Sequence, residues 1–182
     1  MTTPTLRILR ASPAELDSAL EILTEAARWE VDRGLESPWP IPFPAERVRP
    51  SLDRGDLYVA VDPDGRSLAT VTLQWEDTPF WGNRPPDAGY IHRLAVRREF
   101  AGHGVGYAIL GWAEGEVRRR GRAWLRLDTL TARARLHRYY QEFGFRPVGT
   151  LRVGGLDCTL FEKPVGDLGS DHPILDGDRR RR

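Results

Sequence analysis

Three glycines, at positions 102, 104 and 106, separate an apolar segment that ends at Val96 from a helical segment that begins at Val105. Glycine has no Cβ atom, so these positions can adopt unusual φ values and let backbone N–H groups approach a ligand closely. The first N–H groups of a helix have no partner within it, and that end carries a partial positive charge. The spacing therefore predicts a strand, a turn and a helix that together favour a phosphate-bearing ligand.

Hydrophobic periodicity predicts strands and helices on both sides of this turn. Ser12 and Glu15 have the spacing of a capping box, and apolar residues then recur at helical spacing to about Arg33. The other predicted strands cover residues 6–9, 57–61, 68–75, 90–96, 124–130, 145–152 and 157–161, and the other predicted helices cover 45–52, 105–120 and 134–142. We expect residues 76–88 to form a loop.

Composition excludes several classes of protein. The chain has 182 residues, with 26 acidic against 27 basic side chains and a net charge of +1, which gives no global field of the kind found in nucleic-acid or membrane binders. No apolar run could span a bilayer, and the first residues lack the apolar region of a signal peptide. We therefore expect a cytoplasmic protein with no nucleic-acid partner and no membrane partner.

Cysteine usage and the end of the chain limit the remaining possibilities. Cys158 is the only cysteine, which excludes an intrachain disulfide and a cysteine-rich metal site, and we expect it to be a buried strand residue. We predict one domain over residues 1–163 and a flexible, polar tail over 164–182. The tail ends in Arg179 to Arg182, and the alternative to a solvated tail is a nucleic-acid contact through these arginines.

A second motif lies downstream, where Tyr140 precedes the Gly144-Phe145 pair by four residues. This motif, the glycine turn and the strand before it together resemble the GNAT superfamily of acyl-CoA-dependent N-acyltransferases, over most of residues 5–163. The resemblance implies an α+β fold with a central mixed, mostly antiparallel sheet of about seven strands, flanked by about four helices. It also implies acetyl-CoA as cosubstrate, with no metal, and leaves a homodimer open.

The resemblance implies two sets of cofactor-binding residues. The backbone of the glycine turn would hold the pyrophosphate of coenzyme A, and the end of the fourth strand would pair with the pantetheine arm, with the N–H of Leu94 facing the thioester carbonyl. The implied residues are Leu94, Ala95, Val96, Gly102, His103, Gly104, Val105, Gly106 and Tyr107. The sequence departs from the family pattern at Ala101, usually a basic or amide residue, and at Arg133, often asparagine. Arg97 and Arg98 could supply compensating charge.

Tyr140 and His92 are the predicted catalytic residues. By resemblance Tyr140 protonates the leaving thiolate, and a phenol suits this task because it is neutral at pH 7. Two-residue periodicity places Tyr90, His92, Leu94 and Val96 on one face of the fourth strand, so His92 should point to the site and act as the base. Glu76 and Asp77 are rival bases.

The predicted function is an N-acetyltransferase that moves the acetyl group of acetyl-CoA directly to the amine of a small molecule. The aromatic residues Trp29, Trp39, Phe43, Trp75, Phe80 and Trp81 fall in segments that wall the acceptor pocket in this family. Two alternatives stay open, a non-catalytic acyl-CoA sensor and an enzyme that acetylates a protein or peptide amine. A dinucleotide-binding domain is disfavoured because the glycine turn follows a fourth strand instead of the first.

Overall fold

One seven-stranded sheet, in the order β1-β2-β3-β4-β5-β7-β6, organises the chain in a computed structural model that describes residues 5–166. The strands are β1 (Arg7–Arg10), β2 (Leu57–Val61), β3 (Ser67–Gln74), β4 (Ala88–Val96), β5 (Trp124–Leu130), β6 (Arg146–Val153) and β7 (Leu156–Pro164). The helices are α1 (Leu16–Val31), α2 (Arg49–Asp53), α3 (Thr78–Trp81), α4 (Val105–Arg119) and α5 (Ala134–Glu142). Only the β4–β5 pair of this sheet is parallel, which confirms the predicted mixed, mostly antiparallel sheet.

The short helix α3 falls inside the segment that we expected to be a loop, so that expectation is wrong for Thr78–Trp81. Pro79 occupies its first turn, where the missing N–H is not needed, and Trp81 N–H donates to the Asp77 carbonyl at 2.8 Å. A helix of four residues is too short to show a hydrophobic period, which explains the error.

The short 3₁₀ helix Pro13–Glu15, which leads directly into α1, has the predicted capping box. The Ser12 hydroxyl accepts a hydrogen bond from Ala14 N–H at 3.2 Å, and the Glu15 carboxylate accepts one from Ser12 N–H at 2.7 Å. These bonds satisfy N–H groups that have no partner within the helix. The Ser12 hydroxyl also donates to the Glu15 carboxylate, and this bond, followed by the one from Ser12 N–H, lowers the pKa of Glu15 from its ordinary value. The residues of α1 that become buried recur at helical spacing, as predicted: Leu16, Ala19, Ile22, Leu23 and Ala27.

The sheet separates two hydrophobic layers. On one face α1 packs against residues of β2 that include Val59, and on the other face α4 packs against Leu73 and Leu127 among others. The α4 side chains that are fully buried in this second layer are Ile109, Leu110, Ala113 and Val117. Each buried aliphatic side chain of this size contributes about 1.5–3 kcal/mol, so these two layers hold the sheet between the helices.

A β-bulge interrupts β4 close to the predicted site. Thr72 of β3 pairs with His92, whereas Thr70 pairs with Ala95, so two residues of β4 oppose one residue of β3. Arg93, one of the two, has a φ of 52°, which a non-glycine residue adopts only under strain. The bulge shifts the alternation of side chains by one residue.

The bulge makes one sequence prediction wrong. Leu94 and Val96 pack into the α4 layer, whereas Tyr90 packs in a small cluster with Trp81 and His92 contacts Phe80. Tyr90 and His92 therefore face away from Leu94 and Val96, because the strict two-residue period assumed for this strand fails at the bulge.

The end of β7 extends the fold slightly beyond residue 163. Val165 is buried in the α4 layer, and its N–H donates to the Ala123 carbonyl at 2.7 Å. Residues 167–182 of the predicted tail, with the terminal arginines, lie outside the described residues, so the division into domain and tail stays a prediction. Among the described residues, no helix combines the length and the apolar character needed to cross a bilayer.

Candidate active site

A gap opens between β4 and β5 half-way along the sheet. Their parallel pairing runs from Ala88 with Trp124 to Ile91 with Leu127 and stops there, although both strands continue. The main-chain groups of β4 that face β5 beyond Ile91 therefore have no strand partner among the described residues. The gap is bordered on β4 by the residues from His92 to Val96, which include the predicted cofactor-binding residues Leu94 to Val96.

Arg126 fixes the closed end of this gap. Its buried guanidinium donates to Asp87 at 3.0 Å and to the Tyr90 hydroxyl at 3.1 Å, and its Nε donates to Glu162 at 3.2 Å. These bonds join β4, β5 and β7, because Asp87 directly precedes β4 and Glu162 lies on β7. The strands are thus held together up to Leu127, and the separation begins where this network ends.

The glycine turn leads into α4 beside the gap. Gly102 and Gly104 have φ values of 82° and 80°, in the left-handed region that glycine adopts without strain, and a Cβ atom at Gly102 would meet nothing within 4 Å. The first helical backbone bond runs from Ala108 N–H to Gly104 O at 3.0 Å, which leaves the N–H groups of Val105, Gly106 and Tyr107 without a backbone partner. This open cradle of donors fits a phosphate group.

Two further observations concern the same turn. The Nδ1 atom of His103, in the middle of the turn, is buried and has no hydrogen-bond partner among residues 5–166. At Gly106 an added Cβ would lie 2.2 Å from the Tyr139 hydroxyl, so a larger residue would collide with α5. Glycine at 106 thus serves helix packing, whereas glycine at 102 and 104 serves the backbone conformation.

On the face opposite to α4, His92 lies between two carboxylates. Its Nε2 is 2.9 Å from an oxygen of Asp77, and its Nδ1 is 3.6 Å from an oxygen of Asp128. Hydrogen bonding to Asp77 assigns the proton of the neutral ring to Nε2, so that Nδ1 keeps a free lone pair. Asp77, predicted as a rival base, is instead buried as the hydrogen-bond partner of His92.

Sequence reasoning missed Asp128, which the fold brings to His92 from β5. Burial is the main cause that raises the pKa of Asp128 to about 6, repulsion from Asp77 raises it further, and His92 opposes the shift. The sequence feature that could have pointed to Asp128 is a carboxylate inside a predicted strand whose other residues are mostly apolar. It could not be used because the partner residue is on a different strand.

Tyr140 lies in the α4 layer and is the buried residue of α5. It is buried against Phe145 and Phe161, and burial together with the nearby Asp128 carboxylate raises its pKa. Within the described residues its hydroxyl makes no hydrogen bond. Asp128 thus acts electrostatically on both His92 and Tyr140, which flank the gap from opposite faces.

The arrangement matches a known family. The model of the acetyltransferase (GNAT) family matches residues 20–145, more than half of the chain. The chain belongs to the GNAT family. It is therefore an acyl-CoA-dependent acetyltransferase, which confirms the family and the activity implied by the sequence resemblance.

Similar proteins agree with this assignment. The uncharacterized N-acetyltransferase YesJ of Bacillus subtilis (strain 168) is 27% identical over 158 residues, which cover 83% of this chain and 86% of YesJ. A GNAT-family acetyltransferase from Listeria monocytogenes has a TM-score of 0.73 at 20% identity and covers 87% of this chain and 94% of its own. The paia N-acetyltransferase from Thermoplasma acidophilum, solved in complex with coenzyme A, has a TM-score of 0.69 at 18% identity, with coverage of 88% and 99%. These likenesses confirm the GNAT fold.

The basic residues that depart from the GNAT pattern or flank its turn are engaged elsewhere. Arg97 pairs with Glu21 at 3.0 Å, and the Arg98 guanidinium lies 4.0 Å from the ring centre of Trp29, so both contact α1. They line a depression of about 750 Å³ along α1, and their role as compensating charge for Ala101 stays a prediction. Arg133 donates to the Glu36 carbonyl and pairs with Glu30 at 3.3 Å, which ties the start of α5 to the end of α1.

The predicted aromatic wall is mostly engaged in packing. Trp75 lies under Arg120 and Arg122, Trp81 packs on Tyr90, and Trp39 packs on Phe43. Phe80 is the member of the set whose ring meets His92, at 5.6 Å between centroids. An apolar body next to the candidate base would therefore contact Phe80.

Asp77, His92 and Asp128 also form a group whose potential ligand atoms lie within 4.8 Å of one another. The two carboxylates lie nearest to different nitrogens of the imidazole, Asp77 to Nε2 and Asp128 to Nδ1. Hydrogen bonding accounts for the cluster without an ion. That the enzyme needs no metal stays a prediction.

Proposed function

We propose that this GNAT enzyme transfers the acetyl group of acetyl-CoA directly to the amine of a small molecule, within a ternary complex. The observation that carries the proposal is the position of His92 and Tyr140 on opposite faces of the β4–β5 gap, where main-chain groups of β4 lack a strand partner. The cytoplasmic location, the lack of nucleic-acid and membrane partners and the homodimer remain predictions.

On the cofactor face, the chain binds acetyl-CoA mainly through its backbone. The N–H groups of Val105, Gly106 and Tyr107, which have no backbone partner, hold the pyrophosphate, and the turn Gly102-His103-Gly104 shapes the cradle around it. The segment from Leu94 to Val96 pairs with the pantetheine arm, as an added strand would. The Leu94 N–H donates to the thioester carbonyl oxygen, a contribution of about 3 kcal/mol to the transition state for one well-aimed donor.

On the acceptor face, His92 accepts the proton of the amine at Nδ1, since its Nε2–H is bonded to Asp77. The amine nitrogen then attacks the carbonyl carbon, and the carbon–sulfur bond breaks. The Tyr140 hydroxyl gives its proton to the departing thiolate. Burial raises the pKa of this phenol, so the group is protonated at neutral pH, as a proton donor must be.

The test combines an extract incubated with isotope-labelled acetyl-CoA, analysed by mass spectrometry, with an assay of free thiol. We expect a labelled small-molecule amine and thiol release that depends on it. A label found on a protein or peptide would replace the small-molecule acceptor. If the protein binds acetyl-CoA but releases no thiol with any of the acceptors tested, it is a sensor instead of an enzyme.

The acid is tested with Tyr140→Phe, which keeps the buried ring. We expect kcat to fall about 100-fold, in line with the loss of a general acid. Tyr58→Phe is the matched control, because Tyr58 is also a buried tyrosine of the α4 layer and lies away from the gap, against Trp112. Unchanged turnover in Tyr140→Phe would remove Tyr140 from the mechanism.

A further inference from the structure

We propose that Asp128 binds the acceptor amine in its ammonium form, so that the enzyme selects aliphatic amines that are protonated in solution. The inference rests on the proposed function and names the class of acceptor. Asp128 is the first residue of β5 beyond the paired region, since Leu127 is the last that pairs with β4. Its carboxylate therefore lies at the point where the gap opens.

The charge around His92 is unbalanced. Asp77 has a side chain that is 3% exposed and Asp128 one that is 14% exposed, so two largely buried carboxylates share one imidazole. Asp77 accepts the Nε2–H of His92, but no arginine or lysine among the described residues lies within salt-bridge distance of Asp128. By contrast, two other carboxylates near this strand, those of Asp87 and Glu162, are both paired with Arg126, which lies two residues before Asp128 on β5.

In the part of the chain that the structure describes, every other titratable group that faces Asp128 is neutral or acidic. Besides His92 and Asp77 these are Tyr140 of α5 and Cys158 of β7, both of whose pKa values Asp128 helps to raise. A buried carboxylate is stabilised when it is paired with a cation. Because its pKa is about 6, Asp128 is ionised at pH 7.5. A cationic ligand can therefore supply the positive partner that this carboxylate lacks.

An ammonium group fits between Asp128 and His92. The 3.6 Å between Asp128 Oδ1 and His92 Nδ1 can be bridged by one nitrogen that donates two hydrogen bonds of about 2.8 Å. Transfer of one proton from the ammonium to Nδ1 breaks an N–H bond, forms the Nδ1–H bond and leaves the electron pair on the amine nitrogen. Asp128 then stabilises the imidazolium, and the neutral amine faces the gap.

The experiment uses two isomeric acceptors of equal composition, 2-phenylethylamine and 4-ethylaniline. The first is an ammonium ion at pH 7.5 and the second is neutral, and both have an aromatic body that can contact Phe80. In Asp128→Asn we expect KM for 2-phenylethylamine to rise about 10- to 100-fold, the effect of losing a hydrogen-bonded charge. We expect KM for 4-ethylaniline to change less than about 2-fold, since a neutral amine needs no counter-ion.

Asp157→Asn is the matched control, because Asp157 lies on the neighbouring strand β7 with a side chain that is 64% exposed and paired with Arg152. It should leave both KM values unchanged. The same 10-fold or larger rise in KM should appear for the acceptor identified in the labelled extract. Binding of acetyl-CoA, measured by calorimetry, should be equal in all three proteins.

An equal rise in KM for the two isomers in Asp128→Asn would overturn the proposal, because a purely structural role of Asp128 would affect both. A parent protein that acetylates only 4-ethylaniline, or an extract acceptor that carries no cationic amine, would also overturn it. A parent protein that binds acetyl-CoA and acetylates neither isomer nor any extract component would instead contradict the proposed function. The two failures are thereby distinguished.

Discussion

Gly106→Ala tests the contact between the cofactor turn and α5. A Cβ at position 106 would lie 2.2 Å from the Tyr139 hydroxyl, whereas heavy atoms in contact are normally about 3.5 Å apart, so the hydroxyl has to move by about 1.3 Å. The Tyr139 ring has little room for this, because Tyr107 lies 4.6 Å away on one side and Tyr140 5.4 Å away on another, between ring centroids.

The expected magnitude follows from comparing this variant with a second one in the same helix. Overpacking of this kind costs about 1–3 kcal/mol, and replacing glycine by alanine in a helix returns up to about 1 kcal/mol. At Gly111, also in α4, an added Cβ would meet nothing within 4 Å, so Gly111→Ala should gain only the stability that comes from the higher helix propensity of alanine. The two variants should therefore differ in free energy of unfolding by about 1–3 kcal/mol.

Urea denaturation followed by fluorescence or circular dichroism gives the free energy of unfolding of each variant. Adding Tyr139→Phe to Gly106→Ala removes the clashing oxygen and leaves the ring carbon at 3.4 Å, so the double variant should recover most of the loss. If Gly106→Ala is as stable as Gly111→Ala, or if Tyr139→Phe restores nothing, the packing described between α4 and α5 is wrong.

The remaining predictions concern charge, the cysteine and metal. Burial raises the pKa of Asp128 from 3.8 to about 6, so its contribution to stability is fully present below pH 4 and is lost as pH rises to about 6. Asp128→Asn should therefore be more stable than the parent at pH 8, by up to about 3 kcal/mol, with the difference vanishing near pH 4; equal urea midpoints at pH 8 would contradict this. Burial also raises the pKa of Cys158, so iodoacetamide should leave the native enzyme active and Cys158→Ala should keep its kcat; inactivation by the reagent would show an accessible thiolate. Dialysis against EDTA should leave the rate unchanged, and a loss restored by a divalent ion would make the His92 cluster a metal site.

Local signals were enough to predict most of the fold. The bounds of β5 and α5 agree with the sequence prediction because Gly121 ends the preceding helix and Gly144 ends α5, both with positive φ. The capping box fixed the start of α1 in the same way. Each of these features depends on residues within one or two turns of each other, which is the range that periodicity and turn chemistry describe.

The part of the candidate site that is made of backbone could be predicted from local sequence. The glycine turn could be located because its conformation is encoded by the glycines themselves. The role of Asp128 could not be predicted, because its contact with His92 depends on the parallel pairing of β4 with β5. These two strands are separated in the sequence by the whole of α4. The partners of Arg97 and Arg98 on α1 were missed for the same reason.

The bulge at Arg93 links the error in strand reading to the proposed chemistry. Had β4 alternated regularly, the His92 side chain and the Leu94 side chain would share one face of the sheet. With the extra residue, His92 faces the Asp77 and Asp128 carboxylates while Leu94 stays in the α4 layer beside the cofactor turn. On the proposed mechanism, one strand therefore serves the amine on one face and the thioester on the other. The strained φ of Arg93 is the local cost of that division, as expected for a backbone held in a disfavoured conformation next to reacting groups.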